Sequence, residues 1–209
     1  MTSGFQIVKQ GARIIPGLLL LLTLIACVET STPDQAVDLS DRGQAFDGAV
    51  TILAPAGYCL DEVASKPTVE PPVFIFASCR ALGGNTARPP STRAILTATV
   101  MPGPLPLEAG EHAKLLAFFQ TQKGQNLISH TPGSGVSVLR NSEAGDAYFW
   151  LLAKEERAMR HFSPWIWFGL TEISGHGVSF AVYPAADQGD ADVLGQELFT
   201  SFIERLAPR

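Results

Sequence analysis

The sequence predicts an α+β domain: a mainly antiparallel sheet of about six to eight strands with two packed helices, behind a cleaved leader. Three observations carry that prediction. Seven short runs rich in β-branched and aromatic residues are bounded by Gly, Pro, Asn or Asp, as strands are. Two longer stretches repeat apolar residues at three-to-four spacing, as amphipathic helices do. The first 26 residues differ from the rest, with no acidic residue before Glu29.

The strands expected are Ala49–Ala54, Val73–Cys79, Arg93–Met101, Val136–Arg140, Asp146–Lys154, Trp165–Ile173 and Gly177–Tyr183, with Leu127–His130 as an eighth candidate. Ser174-Gly175-His176-Gly177 reads as a tight hairpin in which Gly supplies positive φ. Asn141 to Gly145 has the same role in the preceding hairpin, so the strands it joins are antiparallel. The first helix is expected over 107–122, with Leu115, Leu116, Phe118 and Phe119 on one face, Glu108 and Glu111 in its first turn, and Gly124 just past its end. The second is expected over 190–206, with Asp190 as N-cap and Val193, Leu194, Leu198, Phe202 and Leu206 facing the sheet. Three strands, a helix, four strands and a closing helix make an order that resembles the PsbP-type α/β sandwich. The resemblance implies helices laid on an antiparallel sheet.

Lys9 and Arg13 precede an apolar run from Leu18 to Ala26 that only Thr23 interrupts. The run closes on Leu24-Ile25-Ala26-Cys27, which resembles the lipobox of bacterial lipoproteins. That resemblance implies a signal peptide over 1–26, cleavage before Cys27, and acylation of Cys27, so that the lipid holds the protein on a membrane. Val28 is not the Asp that marks inner-membrane retention in many diderm bacteria, so the expected place is the outer membrane, facing the periplasm. A transmembrane helix is one alternative, although Ile14 to Val28 falls short of the roughly 20 residues that crossing needs. Plain secretion is the other. Two or three acyl chains bind stably where one does not, each buried methylene adding about 0.8 kcal/mol.

Residues 27–48 read as an acylated flexible tether, since Val28 to Gly48 holds four Asp, one Glu, two Ser and two Thr with few large apolar side chains. Residues 49–209 read as a single domain. Across all 209 residues, 46% hydrophobic and 17% charged exclude a disordered chain and a coiled coil. The net charge of −5 becomes −7 once Lys9 and Arg13 leave, because 13 basic residues then face 20 acidic ones. That balance argues against a nucleic-acid partner.

Without Cys27, two thiols remain, Cys59 and Cys79. In an oxidising compartment they are expected to pair, and the absence of Cys-x-x-Cys spacing argues against a redox pair. Free or reactive thiols stay open as the alternative.

Catalytic signals are sparse. His112, His130, His161 and His176 show no zinc-ligand spacing, and no nucleophile elbow, Walker loop or dinucleotide fingerprint occurs. No catalytic residue, metal or cofactor is therefore assigned. Glu108 and His112 read as a solvated helix face, Thr131-Pro132-Gly133-Ser134-Gly135 as a turn, and Asp61-Glu62 and Glu155-Glu156 as solvated turn residues. One cluster stands out: seven of the 18 aromatic residues fall between Tyr148 and Phe168, around a turn with Lys154, Arg157, Arg160 and His161. Trp165 and Trp167 should share one strand face, with Ile166, Phe168 and Leu170 on the other, so this strand is expected to be central and covered on both sides. The cluster is either core or a binding patch of Trp150, Arg157, Arg160, Trp165 and Trp167. Three functions follow: an envelope lipoprotein that binds a protein partner, a carrier of a small or lipidic ligand, or a hydrolase whose His, carboxylate and Ser or Cys converge in a cleft.

Overall fold

A computed structural model describes residues 38–84, 89–108, 110–131, 133–142 and 148–206. Cys27, the leader and most of the expected tether lie outside them. The elements run β1 (Arg42–Ala45), β2 (Val50–Leu53), β3 (Tyr58–Leu60), β4 (Val73–Ser78), β5 (Ala94–Met101), α1 (His112–Phe119), α2 (Gln122–Ile128), β6 (Val136–Asn141), β7 (Phe149–Glu155), β8 (Trp165–Ile173), β9 (His176–Pro184) and α3 (Ala191–Leu206). Strands β3 to β9 form one seven-stranded sheet in the order β3-β4-β5-β9-β8-β7-β6, every neighbour antiparallel. β1 and β2 make a separate hairpin. The α+β, mainly antiparallel class is therefore the observed one.

The sheet has an apolar core on each side. On one, Phe76, Leu96, Phe180 and Val182 meet Leu198, Phe199 and Phe202 of α3, together with Val50 and Ile52 of the β1–β2 hairpin. On the other, Phe149, Leu151, Ile166, Phe168 and Ala181 meet Phe119 of α1 and Ile128 of α2. β8 lies between β7 and β9. It sends Trp167 into the first core and Ile166, Phe168 and Leu170 into the second, as period-two alternation requires. Gly169 leaves room for two rings, for a Cβ there would lie 2.4 Å from Phe180 of β9 and 2.9 Å from Phe199 of α3.

Four expectations need correction. The helix read as 107–122 shortens to α1, His112–Phe119, and its last residue, Gln122, already belongs to α2. Thr121 accepts the Gly124 N–H and donates to the Phe118 carbonyl, starting α2 afresh. Gly124 lies inside α2 rather than beyond a helix end, because a Cβ there would come 2.2 Å from the Phe118 carbonyl oxygen. Leu127 and Ile128 close α2, so Leu127–His130 is not a strand. The stretch read as tether ends in β1, whose Ala45 is buried while Arg42 and Gln44 face out; four alternating residues suffice because β2 covers them.

Candidate functional site

Cys59 and Cys79 are bonded, with Sγ atoms 2.00 Å apart and Cα atoms 4.8 Å apart. Cys59 lies within β3 and Cys79 just past β4, and the pairing of Cys59 with Ala77 brings them together. Of the structural expectations for the cysteines, pairing is the one observed.

The aromatic cluster divides. Trp167 is core, 1% exposed, and its Nε1 donates to the Asp192 carbonyl at 3.0 Å. Trp150 is half-buried against it, ring centroids 5.7 Å apart. Trp165 is half-buried beside them on the same sheet face, opposite Lys154 in the register. The cations over these rings are not the expected ones. The Arg140 guanidinium stands 5.3 Å from the Trp167 ring and the Lys154 ammonium 5.3 Å from Trp165. Arg157 instead turns to the 133–134 loop, its Nη2 donating to the Gly133 carbonyl at 2.7 Å and its backbone N–H to Ser134 Oγ at 3.0 Å. Arg160 is exposed in the β7–β8 connection. The structure thus unites Trp150, Trp165 and Trp167 and separates Arg157 from them. Arg140, on an edge strand ten residues before Trp150, carried no sequence signal because only the β6–β7 register places it there.

A second cluster lies outside the sequence expectations. Glu155 is not a solvated turn residue: it ends β7 with a side chain wholly withdrawn from solvent, while its neighbour Glu156 points outward. Its Oε1 accepts the Ser129 hydroxyl and, at 3.0 Å, the Thr131 N–H. Its Oε2 lies 2.9 Å from His130 Nδ1, close but off the line of a well-formed hydrogen bond. The His130 ring stands edge-on between Phe162 and Tyr183, each centroid 5.2 Å away. Burial lowers the His130 pKa, and the Glu155 charge opposes that shift without overcoming it. The Tyr183 phenol is pushed up to about 12, chiefly by burial. Beside the cluster is a pocket of about 290 Å³ lined by Asn126, Ser129, His130, Thr131 and Gly133.

A histidine, a carboxylate and a serine therefore converge, but not as a nucleophile and its base. The Ser129 proton has Glu155 Oε1 and the Thr131 carbonyl within reach, not the imidazole. An activated serine must instead give its proton to His. Ser134 accepts from Arg157 within the expected turn. His112 is buried edge-on against Phe149 rather than solvated with Glu108. Among the described residues, no group of three or more His, Cys, Asp or Glu is placed to hold a metal. A separate pocket of about 640 Å³ is open and lined by Gln44 to Gly48 and residues of the 67–72 loop, Thr68 and Glu70 among them. It is not the closed apolar cavity a lipid carrier needs. No described helix is long and apolar enough to cross a membrane. Comparison with protein families, with characterised proteins and with solved structures returns no match for this chain.

Proposed function

We propose that this chain is an envelope-anchored lipoprotein, bound by its partner through the sheet face that α3 leaves open. The leader ending in Leu24-Ile25-Ala26-Cys27 supports acylation at Cys27 and a place on the outer membrane facing the periplasm. The Cys59–Cys79 bond supports an oxidising compartment.

The observation that carries the binding role is the pair of half-buried tryptophans on β7 and β8. α3 packs on β9, β8 and β2, which leaves Trp150 and Trp165 at the β7 side of the sheet, with Lys154 over the Trp165 ring and Arg140 over the adjoining Trp167 ring. Trp and Arg are the residue types that dominate protein-binding hot spots. The binding patch is therefore Trp150, Trp165, Arg140 and Lys154, with Trp167 as the floor beneath it. The partner is an envelope protein, and the domain works without chemistry of its own.

The test uses the intact acylated chain in its native envelope. A fatty-acid label should appear on the wild type and vanish in Cys27→Ala, which should keep its leader. A photo-crosslinker at Arg140 should give one discrete protein adduct, at least tenfold weaker when Trp150 and Trp165 are both Ala. A label that survives Cys27→Ala overturns the anchor, and an adduct indifferent to both tryptophans overturns the patch.

A further inference from the structure

The cluster around Glu155 stands apart from the binding patch, on the other face of the sheet. Lys154, on the patch face, is exposed, and Glu155, the next residue along β7, is buried. A neutral imidazole suits this place. The carboxylate favours a proton on Nδ1, and the ring body fills the slot between Phe162 and Tyr183. A second proton does not suit it. Nε2 is buried and has no hydrogen-bond partner among the described residues, and a buried N–H left without an acceptor is costly.

β7 supplies the Glu155 carboxylate, the one group that attracts a proton to His130. β9 supplies Tyr183, which is neutral through the whole range because its pKa is raised. The segment before β6 supplies Ser129 and Thr131, both occupied on Glu155. The β7–β8 connection supplies Phe162 and Arg157, whose positive charge is tied to Gly133 in that same segment.

We propose that His130 is an acid-operated latch: neutral, it pins Ser129–Thr131 onto Glu155, and protonated, it leaves the slot between Phe162 and Tyr183 and releases that segment. Release would enlarge the adjoining pocket at its His130 wall and break the Thr131 N–H bond to Glu155. The direction follows from linkage. An unfolded or released histidine titrates near pH 6.5, and the closed form binds its proton only at lower pH. The closed form is therefore fully favoured above about pH 6.5 and loses ground as pH falls towards the lower, closed-state value. Within that window the released fraction rises up to about tenfold per pH unit, one proton being taken up per opening.

Hydrogen exchange on the full acylated chain in detergent, corrected for the intrinsic pH dependence of exchange, tests this. Between pH 6.5 and 5.5 the Thr131 amide should lose protection several-fold, up to about tenfold, while amides of β8 and β9 stay unchanged. His130→Phe keeps a ring for the slot and removes the titration, so its Thr131 amide should be equally protected at both pH values. Should that variant fail to fold, the imidazole signal of His130 in the wild type is followed instead, and it should titrate below pH 6.5 together with the loss of protection. Protection of Thr131 that does not change with pH, a wild-type response in His130→Phe, or titration of His130 at or above 6.5 would each overturn the latch.

Discussion

Glu155 has the most exacting surroundings of any residue in the domain. Its carboxylate is wholly buried; Oε1 accepts the Ser129 hydroxyl and the Thr131 N–H, and Oε2 lies 2.9 Å from His130 Nδ1 without a well-formed hydrogen bond. Removing the carboxylate strands the buried donors around it, each at about 1–3 kcal/mol, so the loss is about 3 kcal/mol. Glu155→Ala should therefore lower the melting temperature by roughly 6–12 °C in thermal unfolding, given about 2–4 °C per kcal/mol for a domain of this size. The same change at Glu156, which is exposed, should shift it by less than about 2 °C. Nothing in the dipeptide Glu155-Glu156 distinguishes the two. Which one turns inward depends on the register of β7 against β6 and β8, and the partners that accept it lie some 25 residues upstream. Trp167 was legible for the opposite reason, since alternation along β8 alone assigns its face.

At the scale of elements, β8 came through whole, and β1 and β3 did not appear among the expected strands. β8 matches its expected bounds, Trp165–Ile173, because a nine-residue run rich in aromatic and β-branched residues, buried on both faces, outweighs any competing signal. The hairpin expected over Ser174-Gly175-His176-Gly177 is observed, narrowed to a two-residue turn at Ser174-Gly175, with φ of 52° and 77°, because His176 and Gly177 already pair with Ile173 and Glu172. β1 and β3, with four and three residues, carry too little pattern to stand out and form only because neighbours pair with them. The divided helix shows a different limit. Gly124 is a common helix terminator, and here it serves instead as a point of close approach to the end of α1. The β3–β4 pair also rests on its covalent bond. Cys59→Ser with Cys79→Ser opens a loop of 20 residues, which on the chain-entropy model removes about 3 kcal/mol. Chemical denaturation should show that loss, and hydrogen exchange should place it first in β3. A midpoint equal to that of the wild type would mean that the bond adds nothing to stability.

For the whole molecule, one sheet between two unlike layers explains why most of the aromatic cluster is structural. α3 and the β1–β2 hairpin close one face, α1 and α2 the other, and Trp167 lies in the first of these seams against Phe199, centroids 5.7 Å apart. Trp167→Ala should cost about 3–5 kcal/mol, the usual range for a large buried aromatic. Trp165→Ala, on the half-covered strip, should cost visibly less while affecting adduct formation more. Comparing melting temperature with crosslinking yield across the two variants separates core from patch. The chain just before β1 has a mechanical consequence. Ser40 accepts the Leu60 N–H at 2.7 Å, Asp41 accepts the Ala54 N–H at 2.9 Å, and the Asp41 carboxylate holds Arg205 at the end of α3. Any load reaching Asp38 from upstream meets these contacts first, along the β3 margin. Peeling β3 from the sheet would then reach Cys59, where the strand is covalently joined to the end of β4. That margin is stitched at its second residue, while β6 lies at the opposite edge, six strand spacings or roughly 29 Å across the sheet.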